Sequence, residues 1–501
     1  MNYSFENQSF ECVDKDITKK AVIGTDFMFN WGEFKNEVDK LINIFQQINL
    51  PKSYPVIVYG HKQAHMIVAK TALLMYGAVY IPTDIIFPFE RIKMMQAECN
   101  SDVLINCSEN AEIENIFNVI IKLPKGEVVS KNIISNHSIL NKIDKENLIN
   151  YILFTSGSTG KPKGVPIAKR GILLFVNWIK QQFGISKNDV ILNVSSLSFD
   201  FASLDEYLFL SLGSTIVMSS TDEIKNSTKL ISKIIDEEVT IWLSTPSLVY
   251  LYLTEPRFNF KDLPLLNSFI FAGEALPLRT YKLLRERFPE AKIWNAYGPS
   301  EATNLTTYVE LTDDLIDNYN LIPIGYPKPN SKIILDEIDN DGVGEICIIG
   351  EHLTPGYLNN PNLNDEKFFI INGERAYKSG DLGFFKDGLL FYAGRNDDMV
   401  KLHGYRIELD DISSTIKEIN GVLNASTIGL KNKGETKKIV SFYTQKGDLS
   451  INKSSIIEYL NNHLPEYMHP SEIIELKEIP LNTSDKVDKK QLETIYISRS
   501  F

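Results

Sequence analysis

Short runs rich in β-branched and aromatic residues recur along this chain, and each gives way to turn chemistry or to a helix-like pattern. Pro55–Tyr59, Val103–Asn106, Tyr151–Phe154, Thr240–Leu243 and Ser268–Phe271 are the clearest. Strands separated by helical stretches need crossover connections that pack helices on the faces of a sheet, so the alternation predicts an α/β architecture. At 501 residues the chain exceeds what one hydrophobic core holds, and roughly two to four packed units are expected. Asn340-Asp341-Gly342, lying between apolar runs, predicts a hairpin near residues 331–350. Met66–Pro82 is the most apolar stretch, but Lys70 and Gly77 interrupt it. It falls short of a membrane span and reads as a buried helix running into a strand.

The pattern changes near residue 395. Beyond Gly394-Arg395-Asn396-Asp397-Asp398, helical spacing places Leu409, Ile412, Ile416 and Ile419 on one face, with Gly421 able to end the helix. Strand-like Ala425–Leu430 and Ile439–Thr444 follow, then a helix carrying Ile456, Leu460 and Leu464 that Pro465 stops. Residues 395–501 therefore read as a small α+β domain of about 100 residues, set against a larger 1–394 domain, with 395–398 a candidate hinge.

The formal net charge of −12 argues against a nucleic-acid partner, since phosphate backbones call for a basic face. Cys12, Cys99, Cys107 and Cys347 show no CxxC spacing and no pairing with the histidines, so neither a metal cluster nor a disulfide framework is expected. Together with a polar N-terminus that has no signal-like apolar run, this points to a reducing cytoplasm and no membrane insertion.

The strongest local signal is Thr155-Ser156-Gly157-Ser158-Thr159-Gly160-Lys161-Pro162-Lys163-Gly164, placed after a strand-like run. Glycines let backbone amides approach an anion, while hydroxyls and lysines add donors and positive charge, so the segment suits phosphate. It does not fit the Walker A spacing. A plain surface Ser/Gly loop is the alternative. Four further segments carry polar groups: Asn295-Ala296-Tyr297-Gly298-Pro299-Ser300-Glu301-Ala302-Thr303, Tyr377-Lys378-Ser379-Gly380-Asp381, Gly394-Arg395-Asn396-Asp397 with Lys401-Leu402-His403-Gly404-Tyr405-Arg406-Ile407-Glu408, and Pro480-Leu481-Asn482-Thr483-Ser484-Asp485-Lys486-Val487-Asp488. Each alone has an ordinary structural explanation, as a core Tyr, a turn Asp, a surface Arg or a solvated Lys.

In this order and spacing, the segments resemble the adenylate-forming superfamily of amino-acid-activating domains, acyl-CoA synthetases and luciferases. The resemblance covers essentially the whole chain, beginning at Tyr76-Gly77-Ala78-Val79-Tyr80-Ile81-Pro82-Thr83-Asp84. It implies a large N-terminal domain of two α/β subdomains plus a β-barrel-like part, and a small mobile α+β C-terminal domain. It also implies ATP and Mg²⁺ as cofactors. Thr155, Ser156, Gly157, Ser158, Thr159, Gly160 and Lys163 would hold phosphates. Tyr297 would stack on adenine beside Asn295, Ala296 and Gly298, Asp381 would bind the ribose hydroxyls with Arg395 nearby, and Glu301 would help coordinate Mg²⁺. Lys486 would be the catalytic lysine, although this chain has Ser484-Asp485 where the superfamily usually has Asn-Gly. Rotation about Asp397 would then bring Gly404 to a thiol channel. The chain ends 15 residues after Lys486, so the expected acceptor is a separate phosphopantetheinyl carrier protein.

Phe199-Asp200-Phe201-Ala202-Ser203 bears on the substrate. Amino-acid-activating members place an Asp here for the substrate's α-ammonium, and Asp200 matches; alternatively Asp200 caps a helix beginning near Ala202. Leu243, Ile270, Ala272, Asn304 and Leu305 are expected to complete the pocket. The likeness runs most strongly to D-alanine–D-alanyl carrier protein ligases, which typically carry Cys where this chain has Ala272. The resemblance leaves three readings: D-alanine activation, activation of another amino acid in a nonribosomal-peptide-like route, and a noncatalytic binding protein of the same fold, against which Lys486, Asp381, Glu301 and the glycine-rich loop speak. An acyl-CoA ligase is a further enzymatic alternative, disfavoured by Asp200.

Overall fold

The computed structural model describes residues 16–130, 149–156, 162–432, 435–446, 451–481 and 487–499. They fall into two compact units. The first comprises Met1–Ile85, Gln96–Leu153 and Gly164–Ala393; the second comprises Gly394–Phe501 together with Ile86–Met95 and Phe154–Lys163.

The first unit is built on two large α/β sheets. One runs Glu127–Ser130, Val119–Lys122, Val103–Asn106, Pro55–Gly60, Val79–Asp84, Ile149–Thr155 and Lys163–Ala168 in space. The other runs Tyr326–Pro327, Thr307–Glu310, Lys292–Tyr297, Ser268–Phe271, Ile241–Ser244, Val190–Asn193, Thr215–Met218, Lys20–Ile23 and Met28–Asn30. Its interior pairs are parallel and its outer pairs antiparallel. The apolar stretch near Met66 is the buried helix Ala64–Tyr76 leading into the strand Val79–Asp84, as its broken apolar run predicts. Helix Trp31–Gln47 starts where Asn30 and Glu33 satisfy each other's backbone amides, and buries Trp31, Phe34, Val38, Leu41 and Phe45 at helical spacing. One apolar core joins that helix to both sheets, with Trp31 stacked on Phe209 at 4.6 Å.

A third, antiparallel sheet contains Lys332–Asp336, Gly344–Ile349, Glu374–Lys386, Phe368–Ile371 and Leu389–Arg395. The hairpin expected at Asn340-Asp341-Gly342 joins its first two strands, with Leu335 opposite Ile346.

In the second unit, Val422–Asn432, Glu435–Gln445 and Glu472–Glu475 form a three-stranded sheet beside helices Leu409–Lys417, Lys453–His463 and Lys489–Arg499. Ile412, Ile416, Ile439, Tyr443, Ile456 and Leu460 make its core. Met399–Leu402 and Tyr405–Glu408 form a separate hairpin. Among the described residues no helix is long and apolar enough to cross a membrane. Cys99, Cys107 and Cys347 are free and buried, and burial pushes all three thiols well up from their usual range.

Candidate active site

Parallel strands that end together create a crevice at their carboxyl ends, and the candidate residues of the first unit gather there. Leu243 sits opposite Ile270, and Phe271 opposite Asn295, on three adjacent strands. Ala272 leaves the second of these strands, while Ala296 and Tyr297 end the third. Leu243, Ile270, Ala272, Tyr297 and Leu305 are all buried members of one apolar cluster. Gly298 follows at a very close backbone approach: a Cβ there would lie 1.9 Å from the Asn304 carbonyl oxygen, so only glycine fits without moving the chain.

Tyr297 donates its hydroxyl to Asp381 Oδ2 at 2.8 Å, bringing together two candidates that are 84 residues apart. The Ser379 hydroxyl accepts from the Asp381 amide at 3.1 Å and fixes that turn. Asn295 donates to the Pro323 carbonyl at 2.8 Å, which ties its strand to the neighbouring loop. Glu301 is fully buried on a short 3₁₀ turn, and its Oε1 accepts from Tyr357 at 2.8 Å. Among the described residues no group of three or more His, Cys, Asp or Glu could hold a metal ion by itself. A buried carboxylate does, however, suit a hard cation whose remaining ligands are phosphate oxygens and water.

Asp200 opens the helix Asp200–Leu212. Phe199 is the N-cap and makes no side-chain cap bond, so the capping alternative for Asp200 does not hold. Its Oδ1 instead accepts from Tyr151 at 3.4 Å and Ser203 at 3.5 Å, and Ser300 is a further hydrogen-bond partner. Burial first, and then the Glu301 charge, push the Asp200 carboxyl up to about 6. Asn304 spends its amide on the Asp200 carbonyl at 2.6 Å and the Ser203 hydroxyl at 2.9 Å, so it fastens the start of this helix.

Sequence reasoning missed several of these contacts. Tyr151 was visible only as a strand residue, and Tyr357 and Lys328 carried no motif at all. Lys328 is buried, donates to the Leu305 carbonyl at 2.6 Å, and lies 5.3 Å from the Phe175 ring centre. Burial lowers its pKa to about 7, against the pull of Asp200.

In the second unit, Arg395 Nε donates to Asp397 Oδ1 at 2.6 Å, and a second guanidinium nitrogen meets Oδ2. Burial would raise the Asp397 carboxyl, but this paired guanidinium outweighs it and holds the group low. His403 and Gly404 both have positive φ, at 52° and 84°, and form the two-residue turn between Met399–Leu402 and Tyr405–Glu408. Ser156 accepts from the Glu408 amide at 3.2 Å and donates to the Arg406 carbonyl at 3.0 Å, while Lys163 lies 3.4 Å from Glu408 Oε1. The Thr155 hydroxyl is buried and has no partner among the described residues. Gly157, Ser158, Thr159, Gly160 and Lys486 lie outside the described residues.

Comparison with known proteins fits this arrangement. A family model described as AMP-binding enzyme matches residues 10–358. A D-alanine–D-alanyl carrier protein ligase of Bacillus cytotoxicus is 34% identical over 490 residues, covering 94% of this chain and 95% of that protein. One from Bacillus cereus is 33% identical, again covering 94% and 95%. Among solved structures, the Vibrio cholerae adenylation domain AlmE, in complex with glycyl-adenosine-5'-phosphate, superposes with a TM-score of 0.85. It covers 99% of this chain and 98% of its own at 21% identity. With 70% of its length inside the family model and near-full-length relatives above 30% identity, the chain belongs to the AMP-binding enzyme family, the adenylate-forming ligases.

Proposed function

We propose that this ligase activates an amino acid, D-alanine first among candidates, as its adenylate and passes it to the phosphopantetheine thiol of a separate carrier protein. The observation that carries the amino-acid reading is Asp200. A partly buried carboxylate whose ionisation is disfavoured by burial and by Glu301 gains most from a cationic partner, and a substrate α-ammonium is one. A fatty or aryl acid would leave that charge uncompensated. The names of the near-full-length relatives support D-alanine in particular.

In the first half-reaction the substrate carboxylate attacks the α-phosphorus of ATP and pyrophosphate leaves. Two anions must be brought together, so positioning and charge neutralisation are the tasks of the protein. Tyr297 and Asp381, already joined by a hydrogen bond, are assigned to adenine and ribose, with Asn295, Ala296 and Gly298 shaping that wall. The glycine-rich loop and Lys163 are assigned to the phosphates, and the buried Thr155 hydroxyl, without a partner among the described residues, supports an anion there. Glu301 would hold Mg²⁺, which supplies charge neutralisation to the phosphates when bound. Lys486 is assigned to the reacting carboxylate, and Arg395 to the ribose and phosphate.

In the second half-reaction the thiol attacks the adenylate carbonyl and AMP leaves. We assign Asp397 to the hinge and Gly404 to the thiol path, with residues 395–501 as the mobile domain. ATP use and three buried free thiols support a cytoplasmic setting.

Ala272 favours a second reading in which a larger amino acid is preferred. One missing heavy atom in a pocket wall changes discrimination by about 1–3 kcal/mol. Amino-acid-dependent ATP–pyrophosphate exchange with Mg²⁺ separates the cases. Preference for D-alanine over L-alanine supports the leading reading, and preference for a bulkier amino acid supports the second. Exchange only with acids lacking an amino group would remove Asp200 from its role.

A further inference from the structure

Thr303 and Asn304 are consecutive non-glycine residues with φ of 54° and 67°. A β-branched residue is strained in this left-handed region, where Asn is tolerated, so the pair persists because its surroundings hold it. Two kinds of contact do so here. The Thr303 hydroxyl donates to the His352 carbonyl at 2.5 Å. Lys328 reaches the carbonyls on either side of the pair, Leu305 at 2.6 Å and Ala302 at 3.5 Å, from a site where it is only 2% exposed. The Lys328 amide also donates to the Thr306 carbonyl at 2.8 Å, so one residue grips the segment by both backbone and side chain.

What the turn presents is Asn304, whose amide holds the Asp200 carbonyl and the Ser203 hydroxyl. A buried ammonium is a costly way to tie down a loop, because desolvating the charge opposes its hydrogen bonds. Phe175 and Trp178, with ring centres 5.3 Å and 5.9 Å from the nitrogen, return part of that cost. We propose that Lys328 is the positioning residue for amino-acid capture: its ammonium fastens the carbonyls that bracket the Thr303-Asn304 turn, and that turn fixes Asp200 where it meets the substrate's ammonium. The inference rests on the reading of Asp200 given above and extends it to a residue that touches no substrate.

The test is steady-state pyrophosphate exchange on Lys328→Met, which keeps an unbranched side chain one atom shorter and removes the donors, with D-alanine and ATP varied separately. The apparent KM for the amino acid rises at least tenfold, while the KM for ATP stays within twofold. Equal rises in both, or a drop in kcat or Tm with the amino-acid KM unchanged, overturn the proposal. Asn304→Ala supplies the coupling check. If Lys328 works through the turn, the effects of the two substitutions on amino-acid KM are clearly less than additive in the double variant, and full additivity counts against it. Should K328M fail to fold, Lys328→Gln, which retains a neutral donor, takes its place. A threefold or greater selective rise supports the inference, and an unchanged amino-acid KM refutes it. Asp200→Ala run in parallel separates the two claims. If D200A leaves the amino-acid KM unchanged, the reading of Asp200 fails and takes the inference with it. If D200A raises it and the Lys328 variants do not, the inference alone fails.

Discussion

Asp200 keeps its charge at neutral pH at a cost in stability. Its carboxyl, pushed from 3.8 up to about 6, binds a proton more tightly folded than unfolded. Ionisation therefore costs stability as pH rises through that interval, and above pH 6 the full cost is present, roughly 3 kcal/mol at 1.36 kcal/mol per pH unit. Asp200→Asn should accordingly raise the melting midpoint of the ligand-free protein at pH 7.5. Scanning calorimetry at lower pH should show the gain shrinking, and little of it left near pH 4. The same variant should lose at least 100-fold in amino-acid affinity, since the amide cannot offer a charge to the ammonium. Loss of affinity with no gain in stability would mean the carboxylate is better solvated than its neighbours imply. For Lys486, replacement by Ala should abolish adenylate formation while the circular dichroism spectrum is unchanged; a normal exchange rate would withdraw the assignment of that lysine.

At the scale of elements, turns do more of the work than strands or helices. The His403-Gly404 turn uses two positive φ values, and a side chain at Gly404 adds bulk at that turn. Gly404→Leu should leave pyrophosphate exchange within threefold and slow transfer to the carrier thiol at least tenfold, measured by loading of labelled amino acid onto carrier. Equal loss in both steps would take Gly404 out of the thiol path. Gly298→Ala should instead depress exchange itself by 100-fold or more, because the new methyl would strike the Asn304 backbone. Strand positions were legible because β-branched runs announce them, yet the run beginning at Thr240 forms its strand one residue later. There the Thr240 hydroxyl turns aside to Asp189 Oδ1 at 2.8 Å. Helix Asp200–Leu212 likewise begins two residues before Ala202. Candidate site residues that sit in local motifs, such as Tyr297, Glu301 and Asp381, could be proposed from the chain. Their partners could not: Tyr357 lies 56 residues from Glu301, and Lys328 acts on carbonyls, which every residue possesses. A contact between a side chain and distant backbone leaves no trace in composition or spacing.

For the whole molecule, the proposed two-step cycle makes separable demands on its parts. Arg395 and Asp397 form a bidentate pair at the start of the Gly394–Phe501 segment. Asp397→Ala, by releasing that guanidinium, should slow transfer to the carrier tenfold or more and change exchange by less than threefold, which half-reaction assays measure directly. The buried cysteines carry a consequence of another kind. Cys99, Cys107 and Cys347 are closed to solvent and hold their protons tightly, whereas the proposed acceptor must offer an exposed, reactive thiolate. An oxidant or alkylating agent would therefore disarm the acceptor long before it reached those three thiols of the ligase. As far as those three thiols go, oxidation would stop hand-over before adenylate formation, and ATP would then be spent on adenylate with no acceptor to receive it.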